Sequence, residues 1–139
     1  GIILSINNQL KKTKIKIINN IPEEIKINSY PGAFGQVITN LILNSVIHGY
    51  TSEEKGTITI NITLDSKNLI LEYKDDGKGI KEKDLPHIFD PFFTTARATG
   101  GTGLGLNILY NIVRKQFNGE ITCKSKENQG VTFTVVMPI

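Results

Sequence analysis

Three polar side chains recur at helical spacing inside an otherwise apolar stretch, Gln36–Gly49 (QVITNLILNSVIHG): Asn40, Asn44 and His48, at i, i+4 and i+8. On a helix this spacing lines them up in one row within roughly 80° of arc. Val37, Ile38, Leu41, Ile42, Leu43, Val46 and Ile47 point to nearly every other side, as on a helix buried all round. A buried amide without a partner costs about 1–3 kcal/mol, so the row must be satisfied. Loop backbone and neighbouring side chains can do this, or the row can form one wall of a ligand cleft.

Two other stretches carry chemistry. Asp75-Asp76-Gly77-Lys78-Gly79-Ile80 follows the hydrophobic run Asn68–Asp75. A carboxylate at a strand end, with glycines behind it, can accept a hydrogen bond from a planar ligand lying close to backbone. The exocyclic amine of adenine is a suitable donor, whereas guanine presents an acceptor at that edge. A plain Asp/Gly turn is the simpler alternative, and an EF-hand fails on ligand spacing. Gly100-Gly101-Thr102-Gly103-Leu104-Gly105-Leu106 opens onto a helical pattern. Free N–H groups and the positive dipole end at such a helix start suit a polyphosphate, and a glycine hinge is the alternative. No GK[ST] follows, which excludes a Walker loop, and no strand pattern precedes it, unlike a dinucleotide fingerprint. Between the two lies His87–Thr95 (HIFDPFFTT), part of a long aperiodic region, Lys81–Gly103. An irregular segment of this length in a compact domain is expected to be a lid.

Behind these motifs the elements are legible. Lys14–Asn19 and Glu24–Ser29 alternate as short strands. A helix is predicted from about residue 33 to His48, with Gly49 as a left-handed C-cap. Thr57–Asp65 and Asn68–Asp75 form a hairpin around a turn at 65–67. A second long helix runs from Leu104 to just before Gly119, and strands Glu120–Lys126 and Val131–Met137 close the chain. Mixed helices and strands without βαβ alternation predict an α+β two-layer sandwich. The 139 residues suffice for one core. A hydrophobic content of 39% and a charged content of 21% are those of an ordinary globular domain. The single Cys123 excludes a disulfide framework, and two histidines are too few for a metal cluster or a hydrolase triad. A net charge of +3 with only Arg97 and Arg114 as arginines argues against a nucleic-acid binder. No apolar run approaches the roughly eighteen residues of a membrane span. The chain opens on Gly1 and not on Met, so it is expected to be part of a longer protein.

Taken in order, NLILN, DDGKGI, IFDPFFTT, GGTGLGL and NQGVTFTVVMP resemble the catalytic and ATP-binding domain of bacterial sensor histidine kinases, a branch of the GHKL superfamily. The resemblance covers about residues 14–138 and implies a Bergerat-type fold. That fold has a mixed, mostly antiparallel sheet, about three helices on one face, and a long ATP lid. Residues 14–139 would be the ATP-binding domain and 1–13 a linker from a preceding region. Asn40 and Asn44 fall on the asparagine box, as catalytic residues and ligands of the Mg²⁺ that bridges the phosphates. Asp75 matches the adenine-accepting aspartate, with Gly77, Gly79 and Ile80 shaping the base pocket. Phe89, Phe92 and Phe93 match the phenylalanine box. Gly101, Thr102, Gly103, Leu104, Gly105 and Leu106 match the phosphate-wrapping glycine box, and Thr132 matches a residue beside the adenine.

The chain departs from the pattern in two places. A lysine common three residues after the second asparagine is replaced by Ile47, and His48 beside it is expected to bind phosphate in part. The lid motif continues into Ala96 and Arg97, where Arg97 is the expected catalytic cation. The implied function is transfer of the γ-phosphoryl group of Mg-ATP to a histidine on a separate dimerisation domain, followed by relay to a response regulator. The protein would then be a cytoplasmic domain, homodimeric only at full length, whose parent can be membrane-anchored. A GHKL ATPase and a serine kinase of the anti-sigma-factor type are the alternatives. Both tend to carry Glu where this chain has Asn40, and an amide cannot take the proton of an attacking water.

Overall fold

The computed structural model describes residues 14–20, 31–50, 55–93 and 105–138. Hydrophobic alternation builds one five-stranded sheet from β1 (Lys14–Asn20), β2 (Lys55–Leu64), β3 (Asn68–Asp75), β4 (Glu120–Ser125) and β5 (Val131–Pro138), in the order β1-β2-β3-β5-β4. All neighbours are antiparallel except β1 and β2, which run parallel. A parallel pair needs a long crossover, and helix α1 (Pro31–His48) lies within it. The predicted β2–β3 hairpin is present: Leu64 faces Leu69, and Asp65 Oδ1 accepts from the N–H groups of Lys67 and Asn68 at 2.8 and 2.6 Å. Those two donors hold the Asp65 carboxyl below its usual range.

One face of the sheet is buried and the other is not, as a period of two requires. Ile58, Ile60 and Ile62 of β2, Leu71 and Tyr73 of β3, and Phe133, Val135 and Met137 of β5 join Val37, Ile38, Leu41 and Ile42 of α1 in a single core. The second helix, α2 (Gly105–Asn111), adds Leu109, and its continuation as a π-turn, Ile112–Gln116, adds Ile112 and Val113. The π-turn ends where the Phe117 N–H reaches the Ile112 carbonyl and Gly119 reaches Val113. The described residues thus contain two α-helices, plus a short 3₁₀ turn at Leu85–His87, against an expectation of about three. The predicted strand at 24–29, the segment 1–13 and most of the lid's second half lie outside the described residues.

The cap at Gly49 differs from expectation. Among the described glycines, positive φ occurs at Gly79 (71°) and Gly130 (76°), and not at Gly49. Gly49 instead closes α1 with an N–H to Ser45 O bond of 2.7 Å. A Cβ on Gly49 would stand 2.7 Å from the Ser45 carbonyl oxygen and 3.4 Å from Asp75 Oδ2, and the chain after β3 passes so close that a Cβ on Gly77 would stand 2.5 Å from the Gly49 carbonyl oxygen.

Candidate functional site

The end of β3 is stitched to the end of α1. Tyr73 and Asp75, two residues apart, face the same side of the sheet, toward the helix. The Ser45 hydroxyl donates to Asp75 Oδ2 at 2.6 Å and lies 2.6 Å from the Tyr73 hydroxyl. Asp75 Oδ1 accepts from the N–H groups of Gly77 and Val131 at 3.1 and 3.2 Å. Asp75 is only 8% exposed, and Ser45 is 1% exposed. Burial of an ionisable side chain this deep is tolerable only with such partners. Burial also pushes the Tyr73 hydroxyl pKa well up, with the nearby Asp75 charge adding to it, so Tyr73 stays protonated.

The DDGKGI loop is locked on both sides. Lys78 N–H donates to the Gly49 carbonyl at 2.8 Å, and the Lys78 carbonyl accepts from Asn128 at 2.6 Å. Ile80 N–H donates to Ser125 Oγ at 2.8 Å, and that hydroxyl donates to the Gly130 carbonyl at 2.7 Å. Gly130, at φ 76°, leaves no room for a side chain, since a Cβ would stand 2.1 Å from the Asp75 carbonyl oxygen. The second aspartate of the motif does different work. Asp76 Oδ1 accepts from the Tyr50 hydroxyl at 2.5 Å and from Thr57 N–H at 2.8 Å, which pins the start of β2. Partial burial opposes ionisation of Asp76, but these donors outweigh it and hold its carboxyl below the usual range. Burial and the hydrogen bond to Asp76 push the Tyr50 hydroxyl well up.

On α1 the polar row is only partly engaged by the described residues. Asn40 Nδ2 donates to the Gly105 carbonyl at 3.3 Å, at the first residue of α2. Asn44, half-buried, makes no hydrogen bond to a described residue. His48, also half-buried, has its pKa lowered by burial and then by the Lys78 charge, so it favours the neutral form. A Cβ on Gly105 would meet no atom within 4 Å, so the packing around it does not explain the glycine. Asn107, in the first turn of α2, donates to the Phe89 carbonyl at 3.0 Å, and the Phe89 ring lies 5.2 Å from Tyr110 and 6.4 Å from Phe133. The first half of the aromatic segment is thereby anchored on α2 and the core. Phe93 lies 6.0 Å from the His87 ring, and Phe92 is 59% exposed with φ 66°.

A family model described as "Histidine kinase-, DNA gyrase B-, and HSP90-like ATPase" matches residues 30–139. The chain belongs to this family. Among curated relatives, the sensor histidine kinase ZraS of Salmonella typhi is 37% identical over 115 residues, covering 82% of this chain and 23% of the relative. Sporulation kinase A of Bacillus subtilis is 37% identical over 116 residues, covering 84% and 18%. The chain thus spans less than a quarter of the length of either. The solved catalytic domain of histidine kinase ThkA superposes with a TM-score of 0.80 at 28% identity, covering 99% of this chain and 88% of the other. The mycobacterial sensor histidine kinase MprB, at 19% identity and a TM-score of 0.74, shares the fold. The α+β sandwich predicted from the sequence is therefore that of histidine kinase catalytic domains, and membership of this ATPase family implies ATP binding.

Within the family fold, the predicted residues fall into three groups. Asp75, Gly77, Gly79 and Ile80 lie together around the β3 end, next to the helix that carries Asn40, Asn44 and His48. Gly105 and Leu106 open α2, where the Asn40 bond ties them to that helix. Arg97, Gly101, Thr102, Gly103 and Leu104 lie outside the described residues. Thr132 is not brought to the site: it pairs in register with Lys74 and Lys124 on the open face of the sheet, opposite to Asp75. The β5 residue that touches Asp75 is Val131, through its backbone N–H. Sequence reasoning also missed Ser45 and Tyr73. The signal for Tyr73 was its place two residues before Asp75 on one strand face; Ser45 had none beyond being next to Asn44.

Proposed function

We propose that this chain is the ATP-binding catalytic domain of a sensor histidine kinase. It binds ATP with Mg²⁺ and transfers the γ-phosphoryl group to a histidine on a separate dimerisation and phosphoacceptor domain, from which a response regulator is phosphorylated. One observation carries this reading: the bonding of Asp75. A carboxylate offers roughly four acceptor positions. Among the described residues three are taken, by Ser45, Gly77 and Val131, which leaves one on Oδ2 for a single donor. An adenine amine meets that requirement, and a guanine carbonyl does not.

The residues present also fit a metal-bound triphosphate. Asn44 offers a hard amide oxygen with no described partner, one residue from Ser45, and Mg²⁺ typically takes one or two protein oxygens plus phosphates and water. Asn44, with Asn40, would hold the ion, whose chemistry is to neutralise charge building on the phosphates. The chain's own part is to seat the base at Asp75 and to align the phosphates along α1 toward the Gly105 end of α2. Arg97 is the proposed clamp on the γ-phosphate. Neither histidine suits the acceptor role: His48 is half-buried on α1, and His87 is paired with Asp90 at 3.1 Å. Among the described residues no helix is long and apolar enough to cross a membrane, and we place this domain in the cytoplasm.

Hydrolysis as in the ATPase branches is less favoured, because Asn40 carries an amide where a general base is needed, and that amide already donates to Gly105. Incubation with γ-labelled ATP, with and without a separate phosphoacceptor domain, tests the assignment. The expected result is label on the acceptor domain only; strong self-labelling of this chain would overturn it.

A further inference from the structure

The hydroxyl chain behind Asp75 has a direction. Ser45 has one hydroxyl hydrogen and gives it to Asp75 Oδ2, so its oxygen must accept from Tyr73. The order is therefore Tyr73 O–H to Ser45 O–H to Asp75 Oδ2, each step 2.6 Å long. Tyr73 is 0% exposed, so water does not compete at the far end. The hydroxyl chain ends on Oδ2, the carboxylate oxygen to which, among the described residues, only Ser45 donates. Oδ1, by contrast, is saturated by the Gly77 and Val131 backbone.

We propose that Ser45 is a positioning residue for base selection: its tyrosine-braced hydroxyl fixes the rotation of the Asp75 carboxylate, so that the single remaining lone pair on Oδ2 points at an exocyclic amine. This rests on the reading of Asp75 as the adenine acceptor and adds the device that makes it selective. Without the Ser45 hydroxyl, Oδ2 has two acceptor positions and no fixed direction. The carboxylate then accepts water or an amine indifferently, and discrimination between a 6-amino purine and one without the amine falls. A side chain that merely fills space would alter binding of both bases alike.

The test compares ADP with purine riboside 5′-diphosphate, which lacks the 6-amino group, by calorimetry on the 139-residue chain. The unaltered protein is expected to prefer ADP by at least about tenfold. Ser45→Ala should cut that preference to about two- or threefold by weakening ADP alone, and Tyr73→Phe should cut it in the same direction by a smaller factor. Asp75→Asn is the control for the underlying reading. If Asp75→Asn abolishes the preference while Ser45→Ala and Tyr73→Phe leave it intact, the positioning role is wrong and the adenine reading stands. If Asp75→Asn also leaves it intact, the adenine reading itself fails. Should Ser45→Ala not fold, Tyr73→Phe decides alone, because an unchanged preference in that variant overturns the braced hydroxyl.

Discussion

The side-chain amide of Asn40 donates to the carbonyl oxygen of Gly105 at 3.3 Å, joining the buried helix to the first residue of α2 across 65 positions of sequence. The contact uses one of the two N–H bonds of the amide, and no described residue donates to its oxygen, so Asn40 can serve both helix and ligand. Asn107, two residues further along α2, holds the Phe89 carbonyl in the same manner. Two amides thus fasten the start of α2 between the central helix and the aromatic segment.

Removing the first of these fastenings should have two effects. Asn40→Ala is expected to speed amide hydrogen exchange in the first turn of α2 and to lower phosphoryl transfer to an added acceptor domain by about 10- to 100-fold. Exchange mass spectrometry and a transfer assay on the same preparation check both. Unchanged values in each would take Asn40 out of the site.

The adjacent carboxylates Asp75 and Asp76 should separate cleanly in function. Asp76→Asn weakens the bonds to Tyr50 and Thr57 and is expected to destabilise the fold by about 1.5–3 kcal/mol while leaving nucleotide affinity nearly unchanged. Asp75→Asn should do the opposite to affinity, weakening ADP binding by about 1.5–3 kcal/mol through loss of a charge-assisted hydrogen bond. Urea unfolding paired with calorimetry distinguishes the two. Equal effects of both substitutions on affinity would contradict the division of labour.

Gly130→Ala forces a side chain onto a backbone at φ 76° and against the Asp75 carbonyl. The expected cost is about 1–3 kcal/mol from the conformation alone, more if the overlap is not relieved. Ala at Gly105, where a Cβ meets no atom within 4 Å, should change stability by less than about 0.5 kcal/mol. A fall in melting temperature for the first variant and not for the second is the result to look for.

The pH dependence of stability has a definite sign at His48. Burial and the Lys78 charge lower its folded pKa beneath the ordinary 6.5, so the folded state binds fewer protons than the unfolded chain. Its contribution is present above about pH 6.5 and is lost as pH falls through the lowered folded value. Asp76, whose pKa is also lowered, contributes above its ordinary 3.8 and loses that contribution only at more acid pH. Urea midpoints at about pH 7.5 and about pH 5.5 should therefore fall on acidification, and fall less in His48→Gln. An equal fall in both proteins would assign the slope to other groups.

Much of this was legible in the sequence, and the failures have physical causes. The alternation in Thr57–Asp65 and Asn68–Asp75 specified a hairpin because a period of two admits only one buried face. The same alternation in Val131–Met137 already put Val131, Phe133 and Val135 inward and Thr132 outward. Thr132 was misplaced because motif similarity was allowed to override the pleat. Gly49 read as a left-handed cap because helices often end that way, but a Cβ there would crowd the Ser45 carbonyl and reach the Asp75 carboxylate, and the second of these is a contact between segments that no local pattern reveals. Ser45 was invisible for the same reason: a small hydroxyl on a buried helix says nothing until strand β3 delivers a carboxylate 30 positions later.

The three internal bonds on the Asp75 carboxylate also bear on the energetics of recognition. An acceptor already aimed by the protein's own backbone and hydroxyls loses little freedom when a guest arrives, because its ordering cost was met during folding. Adenosine itself, without any phosphate, should then dock measurably, with the base end acting as a stiff latch that engages independently of the rest of the nucleotide.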